Sequence, residues 1–167
     1  QGDLTLASLD NHDGTITGKN FNLSVGSLLN QSGEILVERL QLVGGNLDNT
    51  DGVIATTNAD NESLVISMDN KLINQRGLIQ TDGATAFIHA DLLDNTDGDI
   101  FHLGSDELLL RAAKLINQGG NLYGENNVSL SLADSLSNND GNIFSGNKLD
   151  VTAANLLNRG GSLSSGN

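Results

Sequence analysis

The sequence contains no cysteine, no proline and no tryptophan, and only one tyrosine and four phenylalanines among its 167 residues. Without cysteine, the chain has no disulfide framework, no cysteine-ligated zinc site and no catalytic thiol. With so few aromatic residues, any core that it forms must be aliphatic. No apolar run approaches the roughly 20 residues that a membrane-spanning helix needs, so we expect no membrane insertion by this segment.

Basic residues are also scarce, because eight Lys and Arg stand against 21 Asp and Glu, and the formal net charge is −13 at pH 7. A surface of this charge repels polyanions on average, so we expect no nucleic acid as a partner. The first residues show no basic stretch followed by an apolar one, as a signal peptide would. We therefore expect residues 1–167 to be one internal segment of a much longer protein.

What the sequence does contain is a repeat of the form Leu-x-Asn-x-x-Gly-x-(Ile/Leu), which occurs eight times. Leu lies five residues before each repeat glycine, Asn three residues before it, and Ile or Leu two residues after it. Successive repeat glycines are 19 to 25 residues apart, and such a period is typical of solenoid proteins. The repeat glycines are Gly14, Gly33, Gly52, Gly77, Gly98, Gly120, Gly141 and Gly161.

Between the repeats, apolar and polar residues alternate over short runs such as Phe21-Asn-Leu23-Ser-Val25. Alternation with a period of two predicts short half-buried strands, whereas a helix would need apolar residues at a spacing of three and four. Each repeat thus supplies three inward-facing sets of apolar residues. We predict an all-β fold, a right-handed parallel β-helix of about eight coils, each of roughly 20 residues and three short strands.

The Leu-x-Asn-x-x-Gly element is predicted to form the corner between two strands, with Asn and Gly in the left-handed backbone region. Stacked Asn side chains can also hydrogen-bond from one coil to the next. The corners alternate in composition, and this alternation predicts that successive coils turn the corner differently. Paired aspartates occur only in every second coil, as Asp10-Asp13, Asp48-Asp51 and Asp94-Asp97.

These repeats resemble those of filamentous haemagglutinin and of the related exoproteins that bacteria export by two-partner secretion. The matching strings begin at Leu47, Leu115 and Leu156, and the resemblance covers nearly the whole chain. Such exoproteins include adhesins, haemolysins and contact-dependent inhibition effectors. In that family an outer-membrane transporter recognises an N-terminal domain with Asn-Pro motifs, so a chain without proline corresponds to the repeat shaft.

The resemblance implies a secreted or cell-surface, non-enzymatic segment that projects a binding or toxic tip, or that itself contacts other cells. The implied partners are the outer-membrane transporter during export and a receptor on a host or neighbouring bacterial cell. The alternative is a carbohydrate-active β-helix enzyme, which needs carboxylates and basic groups that converge in one groove. The basic residues are instead scattered through the sequence, at Lys19, Arg39, Lys71, Arg76, Arg111, Lys114, Lys148 and Arg159.

We predict no catalytic residue, no cofactor and no metal site. The paired aspartates offer oxygen ligands for calcium, but pairs two coils apart are separated by about 10 Å, which is too far for one coordination shell. The calcium-binding nonapeptide motif Gly-Gly-x-Gly-x-Asp is also absent. His12, His89 and His102 belong to different coils, and we interpret them as isolated surface or turn residues.

The longest interval, between Gly52 and Gly77, predicts an inserted loop at residues 56–62. Loops of solenoids can carry binding specificity, although a tolerated insertion is the simpler interpretation. Asn-x-Ser glycosylation sequons also occur, but a chain so rich in Asn and Ser contains such matches by chance. The sequons begin at Asn22, Asn30, Asn61 and Asn127.

Overall fold

The computed structural model describes residues 2–167, and within that range it consists of strands and turns without any helix. Every strand pairing is parallel, and all strands belong to one continuous sheet. The predicted all-β parallel β-helix is therefore confirmed. The strands are β1 (Gly2–Asp10), β2 (Thr15–Leu29), β3 (Glu34–Asp48), β4 (Val53–Thr56), β5 (Glu62–Ile73), β6 (Leu78–Thr81), β7 (Thr85–Asp94), β8 (Asp99–His102), β9 (Glu107–Ile116), β10 (Asn121–Gly124), β11 (Asn127–Ser137), β12 (Asn142–Ser145), β13 (Leu149–Thr152), β14 (Asn155–Leu157) and β15 (Ser162–Ser165).

Each coil has three straight sides. In β2, the pairing with β3 runs over Thr15–Gly18, Asn20–Val25 and Ser27–Leu29, and it is interrupted at Lys19 and Gly26, where the chain bends. We call these segments the first, second and third sides. From β4 to β11 the first side is a separate strand, such as β4 or β6, and the second and third sides share one longer strand. In the last coil the second and third sides are separate strands, β13 and β14. The three predicted segments per coil are confirmed, but in most coils two or three of them are joined in one strand.

Like residues stack directly on like residues. The repeat leucines pair in one ladder that runs from Leu9 through Leu28 and Leu47 to Leu156. The aliphatic residues after the repeat glycines form a second ladder, from Ile16 to Leu163. Together with the inward residues of the second side, these ladders form a single aliphatic core. Since one coil alone buries almost nothing, the fold depends on contacts between neighbouring coils.

At each corner the left-handed backbone conformation is adopted by a different residue from the ones we predicted. Among residues 2–167, neither the repeat asparagines nor the repeat glycines have a positive φ, so the prediction for both was wrong. All eight corners instead share a φ of 53–71° one position before the glycine, so the prediction that alternate coils turn differently was also wrong. The residues concerned are Asp13, Ser32, Asp51, Arg76, Asp97, Gly119, Asp140 and Gly160.

The repeat glycines and asparagines are required by close packing between coils. A Cβ at Gly77 would lie 2.2 Å from the carbonyl oxygen of Asn49 and 2.7 Å from Oδ1 of Asn74, so no larger residue fits. The repeat asparagines form a continuous amide ladder, because the Nδ2 group of each donates to Oδ1 of the next coil's asparagine. The seven N···O distances between Asn11 and Asn158 are 2.7–2.8 Å. The predicted hydrogen bonding between stacked asparagines is confirmed.

Candidate functional site

The predicted insertion forms a loop over residues 57–61, between β4 and β5, because Thr56 and Glu62 already belong to these strands. The loop begins by stacking on the preceding coil, where the backbone N–H of Thr57 donates to the Val37 carbonyl at 3.1 Å. Arg39 Nη2 then donates to the carbonyl oxygen of Asp60 at 3.3 Å. The insertion is therefore held against the outer surface of the coil before it.

Beside this loop, the outer face of the second side forms a shallow valley. Three adjoining depressions of about 170, 480 and 380 Å³ all share Asn22 and Gln41, so they are parts of one surface feature. Register pairing places Asn22, Gln41, Val65 and Phe87 in one outward ladder along its floor. We define the loop valley by Asp3, Asn20, Asn22, Arg39, Gln41, Asn58, Glu62, Val65 and Phe87.

The side-chain amides of the loop valley have unused hydrogen-bonding capacity. Asn20 and Gln41 are exposed, and their amides form no hydrogen bond within residues 2–167. Asn22 donates to Asp3 Oδ1 at 2.6 Å, and Asn58 accepts the Asp60 N–H at 2.8 Å through Oδ1. Each amide group can donate twice and accept twice, so this surface offers several free donors and acceptors to a ligand.

The far end of the valley is apolar. Val65 and Phe87 are half-buried neighbours on the floor, and Leu109 continues the same ladder in the next coil. The guanidinium of Arg111 lies 5.9 Å from the centre of the Phe87 ring, and the His89 ring stacks beside it at 6.4 Å. A cation over an aromatic face is attracted by the ring quadrupole, so Phe87 is held in place from one side.

The paired aspartates form hydrogen bonds both within their own corner and with the corners of neighbouring coils. Asp48 Oδ1 accepts the backbone N–H of Thr50 at 3.0 Å, while its Oδ2 accepts Nε2 of Gln31, from the preceding coil, at 2.9 Å. The compositional alternation therefore pairs a glutamine of one coil with an aspartate of the next. Arg76 forms two 2.8 Å bonds to Asp51, and the hydrogen bond from Arg76 lowers the pKa of that exposed carboxyl. No group of three or more potential metal ligands occurs within residues 2–167.

The histidines occupy three different environments. His12 is exposed in a turn beside Asp13, and His89 lies on the outer face, as predicted for isolated surface or turn residues. His102 contradicts that prediction, because its side chain is 0% exposed. It faces inward because it lies two residues after the buried Ile100 on the same strand, and this parity was the sequence signal for its burial.

Around His102, the inward position of the first side carries small polar residues in neighbouring coils. Thr56 and Thr81 occupy this position, and with the buried Ser63, at the start of β5, they hydrogen-bond to one another at 2.7–2.9 Å. His102 Nε2 lies 2.9 Å from the Gly83 carbonyl, whereas Nδ1 has no hydrogen-bond partner in the described chain. Since a carbonyl only accepts, Nε2 carries the proton, and burial holds the pKa of His102 below its ordinary value.

The sequons also differ in accessibility. Asn30 is fully buried in the amide ladder, so its side chain cannot be modified in the folded protein. Asn61 is exposed in the inserted loop, where it has a φ of 57°. Asn22 lies in the loop valley, and Asn127 accepts a 2.9 Å hydrogen bond from Asn147. Asn61 is thus the sequon asparagine most open to solvent.

The basic side chains are dispersed over the surface rather than gathered in one cluster. Lys19 lies 3.3 Å from Glu38, and Lys148 lies 2.6 Å from Asp150, each in an exposed pair of the kind that contributes little to stability. Arg39 is the basic member of the loop valley, where Glu62 also lines the surface.

Comparison with known proteins agrees with this geometry. Matches to the haemagglutinin repeat extend over residues 1–75, 60–100, 104–140 and 122–167. The chain belongs to the haemagglutinin repeat family. All eight repeat glycines lie within the matched ranges, so the haemagglutinin repeats coincide with the stacked corners. A search of curated proteins and a search of solved structures each found no match.

Membership of the haemagglutinin repeat family, together with the solenoid fold, indicates a shaft-type or adhesin-type segment. Proteins that carry this repeat are typically secreted or surface-exposed, and the repeat itself is generally not catalytic. Residues 2–167 form no helix, so this range contains no helical segment that could span a membrane.

Proposed function

We propose that this chain is part of the shaft of a bacterial surface protein exported by two-partner secretion. Its role is to hold a binding or toxic tip away from the cell and to contact target cells through its own surface. The observation that supports this role best is the equivalence of the coils. The same 2.7–2.8 Å Asn–Asn bond and the same corner recur at every step from Asn11 to Asn158.

The physical properties of the solenoid suit a shaft. Seven coil-to-coil steps at about 4.8 Å give a rod of roughly 34 Å, and further repeats would lengthen it without any change of design. Because each coil contacts mainly its neighbours, the rod can form one coil at a time after passing unfolded through a transporter. The chain contains no cysteine, so oxidation outside the cell cannot trap a wrong pairing.

The proposal is tested by expressing the chain behind a two-partner secretion domain, with and without the matching outer-membrane transporter. We expect added protease to reach the chain on intact cells only when the transporter is present. Removal of residues 78–98, one complete coil, should preserve export and a protease-resistant fold, whereas removal of residues 78–87 should not. Retention inside the cell with a functional transporter would contradict the proposal.

The alternative, a polysaccharide-cleaving β-helix, has one specific observation in its favour. Arg39 and Glu62 line the same part of the loop valley, and such enzymes combine carboxylates with basic side chains in a groove. Incubation with polygalacturonate and with xylan, followed by assay of reducing ends and unsaturated products, tests this function. Cleavage that disappears in Glu62→Gln would establish the enzyme and overturn the non-catalytic proposal.

A further inference from the structure

We infer that the loop valley is a binding site for a neutral oligosaccharide. The inference deepens the proposed contact role of the shaft by naming a ligand class for one defined surface. It starts from a difference between two sets of amide side chains in the same chain. The repeat asparagines are buried and hydrogen-bonded in the amide ladder, whereas Asn20 and Gln41 are exposed and unpaired within residues 2–167.

Free amides match the hydroxyl groups of a sugar. A sugar hydroxyl both donates and accepts a hydrogen bond, and so does each carboxamide, so neighbouring hydroxyls can bond to one amide without an unpaired group. Gln41 lies at the centre of the valley, between Asn22 in the coil before it and Val65 in the coil after it. Asn20 extends the same chemistry toward the inserted loop, and Asn58 lies in that loop.

The apolar end of the loop valley can pack against the C–H face of a sugar ring. Pyranose rings have a C–H face as well as hydroxyls, and C–H groups pack well against the electron-rich face of an aromatic ring. Phe87 and Val65 are partly exposed beside Glu62 and Arg39, so apolar contacts and hydrogen bonds are available together. This combination of an apolar floor with a few directional polar groups is typical of ligand sites in proteins.

The dimensions favour a short linear oligomer. Asp3, Asn22, Gln41, Val65 and Phe87 occupy five successive coils in register, and four steps of about 4.8 Å span roughly 19 Å. The inserted loop borders the valley on one side, which gives the otherwise open face of the sheet a wall.

The negative charge of the protein favours neutral oligosaccharides over acidic ones. The chain carries a formal net charge of −13, and Asp3 and Glu62 both line the valley. Sulfated or uronic-acid polymers would be repelled by this field, and Arg39 is the single basic residue among those that line the valley. A neutral ligand avoids this repulsion and can still use every amide.

The test uses an array of neutral and acidic oligosaccharides, with each neutral hit followed by titration against ¹⁵N-labelled protein. We expect at least one neutral oligosaccharide to bind, and to shift the side-chain amide signals of Asn22 and Gln41. Gln41→Ala should weaken that binding by about five-fold, the value of one net hydrogen bond. Gln80→Ala, the matched control on the outer face of the first side, should leave it unchanged.

Three results would overturn the inference: no neutral oligosaccharide binds, acidic oligosaccharides bind more tightly, or the two glutamine variants have equal effects. Deletion of residues 57–61 provides a second variant that does not touch the valley floor. It should reduce affinity while the circular dichroism spectrum stays that of the parent. Export is measured in a separate experiment. If the chain is exported by the transporter but binds no neutral oligosaccharide, this inference is contradicted and the shaft proposal is not.

Discussion

Replacement of Asn74 by alanine removes one rung from the middle of the amide ladder. Asn74 is fully buried, and its Nδ2 group donates to Oδ1 of Asn95 at 2.7 Å and to the Gly77 carbonyl at 3.1 Å. Its Oδ1 accepts from Asn49 Nδ2 at 2.7 Å. Alanine would leave the Oδ1 atom of Asn95 without its donor and the Nδ2 group of Asn49 without its amide acceptor.

The size of the loss in Asn74→Ala depends on which of its two neighbours, Asn49 and Asn95, keeps other hydrogen bonds. Asn49 Nδ2 still donates to the carbonyl groups of Gly52 and Leu78, each at 3.2 Å, so it remains partly satisfied. Asn95 Oδ1 accepts no other hydrogen bond in the described chain. A buried polar atom without a partner costs about 1–3 kcal/mol, and the space left by the carboxamide adds a cavity term. We therefore expect the free energy of unfolding to fall by about 2–4 kcal/mol.

Urea unfolding followed by far-UV circular dichroism measures this loss, and Asn158→Ala is the matched control. Asn158 occupies the last rung, is exposed, and has one neighbouring rung, from which it accepts the Nδ2 bond of Asn138 at 2.7 Å. Water can replace that partner, so we expect a loss below about 1 kcal/mol. Equal losses in Asn74→Ala and Asn158→Ala would refute the argument that the ladder stabilises the solenoid through its buried amides.

Three further predictions concern other parts of the molecule. Gly77→Ala should lower the free energy of unfolding by about 1–3 kcal/mol in urea, because its Cβ meets rigid backbone. Gly18→Ala should be nearly neutral, because within residues 2–167 its Cβ would have no atom within 4 Å other than those of its chain neighbours. Burial lowers the pKa of His102, so the unfolded chain binds its proton more readily. The contribution of neutral His102 to the free energy of unfolding should be fully present above about pH 6.5 and should be lost as the pH falls below that value. Urea titrations at several pH values should show this loss in the parent protein and not in His102→Gln. In this cysteine-free chain, Asn61→Cys should react with maleimide quickly in the folded state, while Ser63→Cys, two residues later at a buried position, should be protected.

Much of the fold was predictable because the repeat is periodic in both residue type and position. Leu28 and Leu47 recur at equal offsets from their glycines, so their stacking followed from the pattern alone. The position of the inserted loop followed from one long interval in the same pattern. The prediction for His102 was wrong because it rested on residue type alone, although the distance of His102 from Ile100 already placed it on the inward face.

The loop valley was only partly predictable. The long interval pointed to residues 56–62, but Phe87 and Asn22 are far apart in the sequence, and register irregularities in β3 and β5 obscure their alignment. Only the pairing of successive coils shows that both lie on one face with Gln41. The proposed glycan site therefore arises from positions that the repeat pattern leaves variable.

The amino-acid sequence alone specifies the coil, because a period of two assigns each residue to the inside or the outside, and a period near twenty stacks equivalent residues. It does not specify the backbone conformation at the corners or the contacts of the variable positions, because those depend on how neighbouring coils pack. Stacking places the left-handed conformation at Asp51 instead of Gly52, since the glycine must leave room for a neighbouring carbonyl. Stacking likewise decides that Asn49 is buried and fully bonded while Asn20, the same residue type, keeps its amide free for a ligand.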